Sequence, residues 1–278
     1  MTEIADVPTF QTSVEDQRRA LAKRIEGRNS GKYTRVVLAA LSGIPWVGSL
    51  FSAAASYMGD VEQGQTNELQ KLWLQEHQEK LRKLGQTLEE MSERFETFGE
   101  DLQERIQSEE YLALVRSAFR SWDQADTDEK REFIRKLLTN AGGTKLCPDD
   151  LVRLFISWID RYHESHFAVI RVIHREPGVT RAGIWKAING ATVREDSAEA
   201  DLFKLLIRDL SMGEVIRQHR DTTAFGEYMR KGRAASGRNT SGTLKSAFDD
   251  QDGYELTGLG RQFVHYVLDE LVARIGPG

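Results

Sequence analysis

The stretches of this chain that hold chemically active residue types do not hold them at the spacings the chemistry requires. Gly27-Arg28-Asn29-Ser30-Gly31-Lys32 has the composition of a phosphate cradle. Such a cradle needs four residues between its glycines and a Ser or Thr after the lysine to hold magnesium. Here three residues intervene, Tyr33 takes the hydroxyl position, and a helical pattern precedes the segment where a strand should stand. His163-Glu164-Ser165-His166 is one residue short of the spacing that sets two histidines on one helix face as zinc ligands, so both are read as helix-surface residues. Asp249-Asp250-Gln251-Asp252-Gly253 lacks the spacing and the closing glutamate of a calcium loop and reads as a turn before a strand. Cys147, the single cysteine, excludes an intramolecular disulfide and a cysteine-based zinc cluster. It stands beside Pro148 with no histidine close in sequence, a poor setting for a nucleophile. The expectation is a non-enzymatic chain with no catalytic residue, no cofactor and no metal, in a reducing, cytoplasmic compartment.

If no side-chain cluster carries chemistry, function must lie in surfaces, and surfaces are set by helices. The chain has 278 residues, 40% hydrophobic and 29% charged, with 23 glycines and 5 prolines. That excludes a disordered chain, a collagen-like repeat and a polytopic membrane protein. The net charge of -5 conceals an uneven distribution. A basic leader, residues 1–35, holds Arg18, Arg19, Lys23, Arg24, Arg28, Lys32 and Arg35 against Glu26 in its second half. Val36 to Met58 then carries no charge over 23 residues.

By length that run could cross a bilayer, but Pro45 near its middle favours an apolar helical hairpin over residues 36–60. Its candidate membrane-facing residues are Val36, Leu38, Leu41, Pro45, Trp46, Gly48, Leu50, Phe51, Ser52 and Ser56. Three readings stand side by side: a hairpin buried in a core, a segment that engages an anionic membrane surface behind its basic lead-in, or a stable anchor.

From Val61 to Gln107 the chain has no proline. Leu74, Leu81, Leu88, Phe95 and Leu102 recur every seven residues, and Leu84, Met91 and Phe98 interleave with them. That pattern predicts one long helix with an apolar seam, a coiled-coil signature that suits a homo-oligomer or a partner helix of the same chain. Further amphipathic helices follow to residue 164. One is opened by a capping box at Asp126 and Glu129 and stopped by Gly142-Gly143, and another has Pro148 in its first turn.

Residues 165–278 read differently. Helices over Phe167–Arg175, from Thr180 to Ile188 and from Ser197 to Leu210 precede a strand at Glu214–His219 and another at Tyr254–Thr257, with a polar loop between. Leu206-Ile207-Arg208-Asp209-Leu210-Ser211-Met212-Gly213-Glu214-Val215-Ile216-Arg217 and Tyr254-Glu255-Leu256-Thr257-Gly258-Leu259-Gly260-Arg261 resemble the third helix, wing strands and final turn of bacterial winged helix-turn-helix proteins. The resemblance implies a fold in which a third helix and a wing meet the partner. The wing offers Arg217, Arg220, Arg230, Lys231, Arg233 and Arg238 as possible phosphate contacts. Glu195, Asp196, Glu199 and Asp201 at the start of the third helix oppose entry into a DNA groove.

The fold class expected is mainly α: an elongated N-terminal part with an apolar hairpin, then a winged helix. The layout is similar to that of α-helical pore-forming proteins, which implies a membrane-active segment controlled by the C-terminal module and a role in bacterial conflict or defence. A DNA-binding regulator dimerising through the heptad helix and a protein-binding scaffold are the other two readings.

Overall fold

The computed structural model describes residues 34–47, 68–98, 102–144, 147–219, 246–249 and 251–268. It is mainly helical and divides into two units that part between Asp160 and Arg161, ahead of the expected boundary at 165. Each is described by itself.

In the first unit the seven-residue repeat places its apolar side chains along one line of α2 (Glu68–Phe98). Leu81, Leu84, Leu88, Met91 and Phe95 on that line are all buried. The residues that cover them belong to the same chain. α5 (Asp128–Gly143) lies along α2 in parallel, with Lys83 reaching Asp128 at 2.7 Å and Glu90 reaching Arg135 at 2.9 Å. Parallel neighbours need a return segment, and α4 (Glu109–Gln124) supplies it, burying Tyr111, Leu114, Val115, Phe119 and Trp122. The seam positions expected between subunits are thus occupied by an internal contact. Leu102 is half-buried at the start of α3 (Gln103–Gln107), and the side chains of Leu74 and Phe98 lie outside the described residues.

The single helix expected through Gln107 is instead two elements, α2 and α3, because the repeat alone does not reveal where the chain must turn to enter α4. At 1.5 Å per residue α2 is about 46 Å long. The cap of α5 also shifts by one residue: Thr127, not Asp126, accepts from the Lys130 N–H. Gly142 does not stop that helix by a left-handed turn. A Cβ there would come within 2.9 Å of Phe95 and of the Tyr111 hydroxyl, so glycine is required by close packing. α6 (Asp149–Arg161) is held by ion-paired Arg105 and Asp149, and by Ser121 Oγ donating to Asp160 at 2.8 Å.

α1 (Thr34–Ser42) packs on α4 and buries Val36, Val37, Ala39 and Ala40, with Ile44 and Val47 following. Leu38 is exposed, Leu41 is half-buried and Arg35 is exposed. Trp46 donates its Nε1–H to Asp123 and stands edge-on to His77 at 5.2 Å. The described half of the uncharged run is therefore core of this unit. Gly48, Leu50, Phe51, Ser52 and Ser56 lie outside the described residues, as does the leader from Arg18 to Lys32. Among the described residues no helix is long and apolar enough to cross a membrane.

The second unit runs α7 (Glu164–Arg175), β1 (Val179–Thr180), α8 (Arg181–Ile188), α9 (Ala198–Met212), β2 (Ile216–Gln218), β3 (Gly253–Leu256) and α10 (Gly258–Val267). The three strands form an antiparallel sheet in the order β1-β3-β2, pairing Val179 with Tyr254 and Ile216 with Leu256. β1 is absent from the sequence reading because two residues are too few to show alternation. Thr180, Ser197 and Thr257 cap α8, α9 and α10, each accepting from the N–H three residues on. Phe167, Ile170, Phe203, Leu206, Leu210 and Phe263 fill the core.

α7 begins at Glu164, three residues before the expected Phe167. His166 lies inside that first turn and is buried at 4% exposure, which corrects its reading as a surface histidine.

Candidate interaction surface

α9 buries Ala200, Phe203, Leu206, Ile207 and Leu210 against its own unit. Burying one stripe of a helix leaves the opposite stripe to solvent. On α9 that stripe is not polar throughout. Leu202, Leu205 and Met212 are exposed at 51%, 38% and 73%, alongside Ala198, Asp201 and Arg208. Three large apolar groups on one outer helix face exceed the scattered exposure that a surface ordinarily shows.

The four acids expected to oppose DNA do different things. Glu195 precedes the helix and reaches across the surface: Ser246 Oγ and the Ala247 N–H, the latter at 2.9 Å, donate to its carboxylate. Those two bonds hold its pKa below the ordinary carboxylate range. Phe248, next along the chain, stacks on Phe203 at 5.8 Å and meets Trp185 at 5.3 Å. Glu195 and Phe248 thus fix where the chain returns toward β3, a role no local spacing announces. Asp196 pairs with Arg194, and Asp201 with Lys204 at 3.5 Å. Glu199 is exposed in the first turn of α9.

Of the six wing residues, Arg217 alone is described. Its Nε donates to Glu255 Oε1 at 2.7 Å, and His219 Nδ1 lies 2.8 Å from Oε2 of the same carboxylate. Burial pushes the Glu255 pKa up, but these two partners outweigh it and hold the group low. Arg217 is therefore tied to the sheet through its Nε. Arg220, Arg230, Lys231, Arg233 and Arg238 lie outside the described residues.

Beside the exposed face is a cleft of about 330 Å³, bounded by Arg161, Tyr162 and His166 on one side and Leu202, Leu205 and Asp209 on the other. The N–H of His163 donates to His166 Nδ1 at 3.1 Å, which leaves the ring proton on Nε2. That buried Nε2 makes no hydrogen bond, and Asp209 Oδ2 stands 3.9 Å away. Cys147 is buried, and among the described residues no group of three His, Cys, Asp or Glu side chains is placed to hold a metal ion. No protein-family model, no curated protein and no solved structure matches this chain.

Proposed function

We propose that the protein is a non-catalytic, protein-binding scaffold, in which a helical unit carries a winged-helix module whose third helix docks a protein helix in place of DNA. The observation that carries this reading is the apolar outer face of α9, Leu202, Leu205 and Met212. In a DNA-reading module that face enters the major groove, where base edges and phosphates call for Arg, Lys, Asn or Gln. Three apolar side chains there have only thymine methyls to meet. Against another helix they are removed from water, at about 25 cal/mol per Å² buried.

The partner chemistry follows from the charges on the same face. Asp201 lies toward its N-terminal end and Arg208 toward its C-terminal end. A fitting partner is an apolar-striped helix with a base to meet the former and an acid to meet the latter. The basic wing is the feature that favours DNA, so DNA is the direct test. Duplex titrated with the whole protein at low salt is expected to show no binding. Salt-dependent binding that weakens on replacing Arg230, Lys231 and Arg233 with alanine would overturn the reading.

The membrane-active reading does not lead, because Val36, Val37, Ile44 and Val47 are packed in the first unit. What supports it is confined to the apolar composition of residues 48–58 and the basic leader.

A further inference from the structure

We infer that the helix docked on this face is α9 of a second copy of the chain, laid antiparallel across Leu205; this rests on the protein-docking reading above and adds the identity of the partner. α9 runs from Ala198 to Met212, so Leu205 is its middle residue. Ala198, Asp201, Leu205, Arg208 and Met212 follow one another at steps of three and four, which keeps them on one side of the helix. All five are exposed.

Inverted about Leu205, this stripe complements itself. Ala198 comes opposite Met212, the smallest side chain of the stripe against a long flexible one. Leu205 meets its own copy. At 1.5 Å per residue Asp201 lies about 6 Å from the midpoint and Arg208 about 4.5 Å on the other side. Inversion therefore brings the acid of one copy and the base of the other level to within about 1.5 Å, and two-fold symmetry makes that contact twice. A parallel pair would set Asp201 against Asp201 and Arg208 against Arg208, so charge selects the antiparallel arrangement. Asp201 and Arg208 are 74% and 67% exposed, and the long same-chain ion pairs they make, with Lys204 at 3.5 Å and Asp209 at 4.0 Å, are weak enough in water to be exchanged for a partner's charges.

The contact is isologous and closes at two copies. One pair of helices about 22 Å long falls at the small end of interface sizes, below about 1,200 Å² in total. A reversible dimer in the micromolar range is the consequence.

Sedimentation velocity of the whole protein over micromolar concentrations tests this, with Asp201→Arg and Arg208→Asp as variants that leave the core untouched. Each variant alone is expected to weaken dimerisation about tenfold. An equimolar mixture of the two is expected to restore it, because both contacts then pair opposite charges. A protein that is monomeric throughout overturns the self-pairing, as does a dimer indifferent to both variants or one that mixing fails to restore. Salt-dependent DNA binding lost on Leu205→Asp overturns the docking reading beneath it, which separates the two failures.

Discussion

His163 and His166 are joined through the first turn of α7, the backbone N–H of the one donating to Nδ1 of the other at 3.1 Å. The bond requires Nδ1 to be unprotonated. Burial is the main cause that lowers the His166 pKa from its ordinary value of 6.5; the Asp209 carboxylate opposes it, while the His163 ring and Arg161 add to it. Protonation would also place a cation at the positive end of α7. Because the folded pKa lies below the unfolded one, the unfolded chain takes up more protons as pH falls through about 6.5. Stability is full above that pH and declines below it. Denaturant midpoints at neutral and mildly acidic pH are expected to differ, and His166→Gln is expected to reduce the difference. An unchanged pH dependence in that variant would contradict the assignment.

Leu84 is fully buried where α2 meets its own chain. Leu84→Ala is expected to cost about 2–5 kcal/mol, whereas Leu72→Ala, at a position 59% exposed, should stay within about 0.5 kcal/mol. The loss at Leu84 should not depend on protein concentration, since the seam is internal. Thermal melts at two concentrations separate this from a seam between subunits.

Alanine is a better helix former than glycine by about 1 kcal/mol, so Gly142→Ala in an open helix would stabilise. Here the added methyl meets Phe95 and Tyr111 at 2.9 Å. A net loss of about 1–3 kcal/mol is expected, read by denaturant unfolding. A gain would show that the two rings retreat freely.

Glu195 holds Ser246 and Ala247 from 51 and 52 residues away. Its lowered pKa means that the hold persists above the ordinary carboxylate range and is lost only as pH falls through the lower folded value. Glu195→Ala is expected to speed amide exchange at Ala247 and Phe248 while leaving exchange in the core of α9 unchanged. Equal acceleration in both places would mean that the residue supports the whole unit instead.

Helix positions were legible where burial repeats locally. The apolar faces of α4 and α9 and the caps at Thr180 and Ser197 follow from spacing, because the residues involved are three or four apart. Relations across long separations were not. The parallel lie of α2 and α5 rests on pairs 45 residues apart, such as Lys83 with Asp128, and a periodic pattern is the same whichever way its partner runs. His166 looked like a surface residue because the three residues before it are polar, yet it is buried in the first turn of α7. On α9 the acids were visible in sequence, but that Glu195 is consumed internally while Leu202, Leu205 and Met212 face outward needed the fold.

What faces Leu205 decides the self-pairing of α9. With Leu205→Cys in the whole protein, a thiol cross-linker spanning the 8–10 Å typical of packed helices should join two copies through their midpoints. Met212→Cys should not join to itself, because its counterpart in the pair is Ala198. Efficient cross-linking at 205 with little at 212 is the expected result. No cross-linking at 205, or equal yields at both positions, would contradict it.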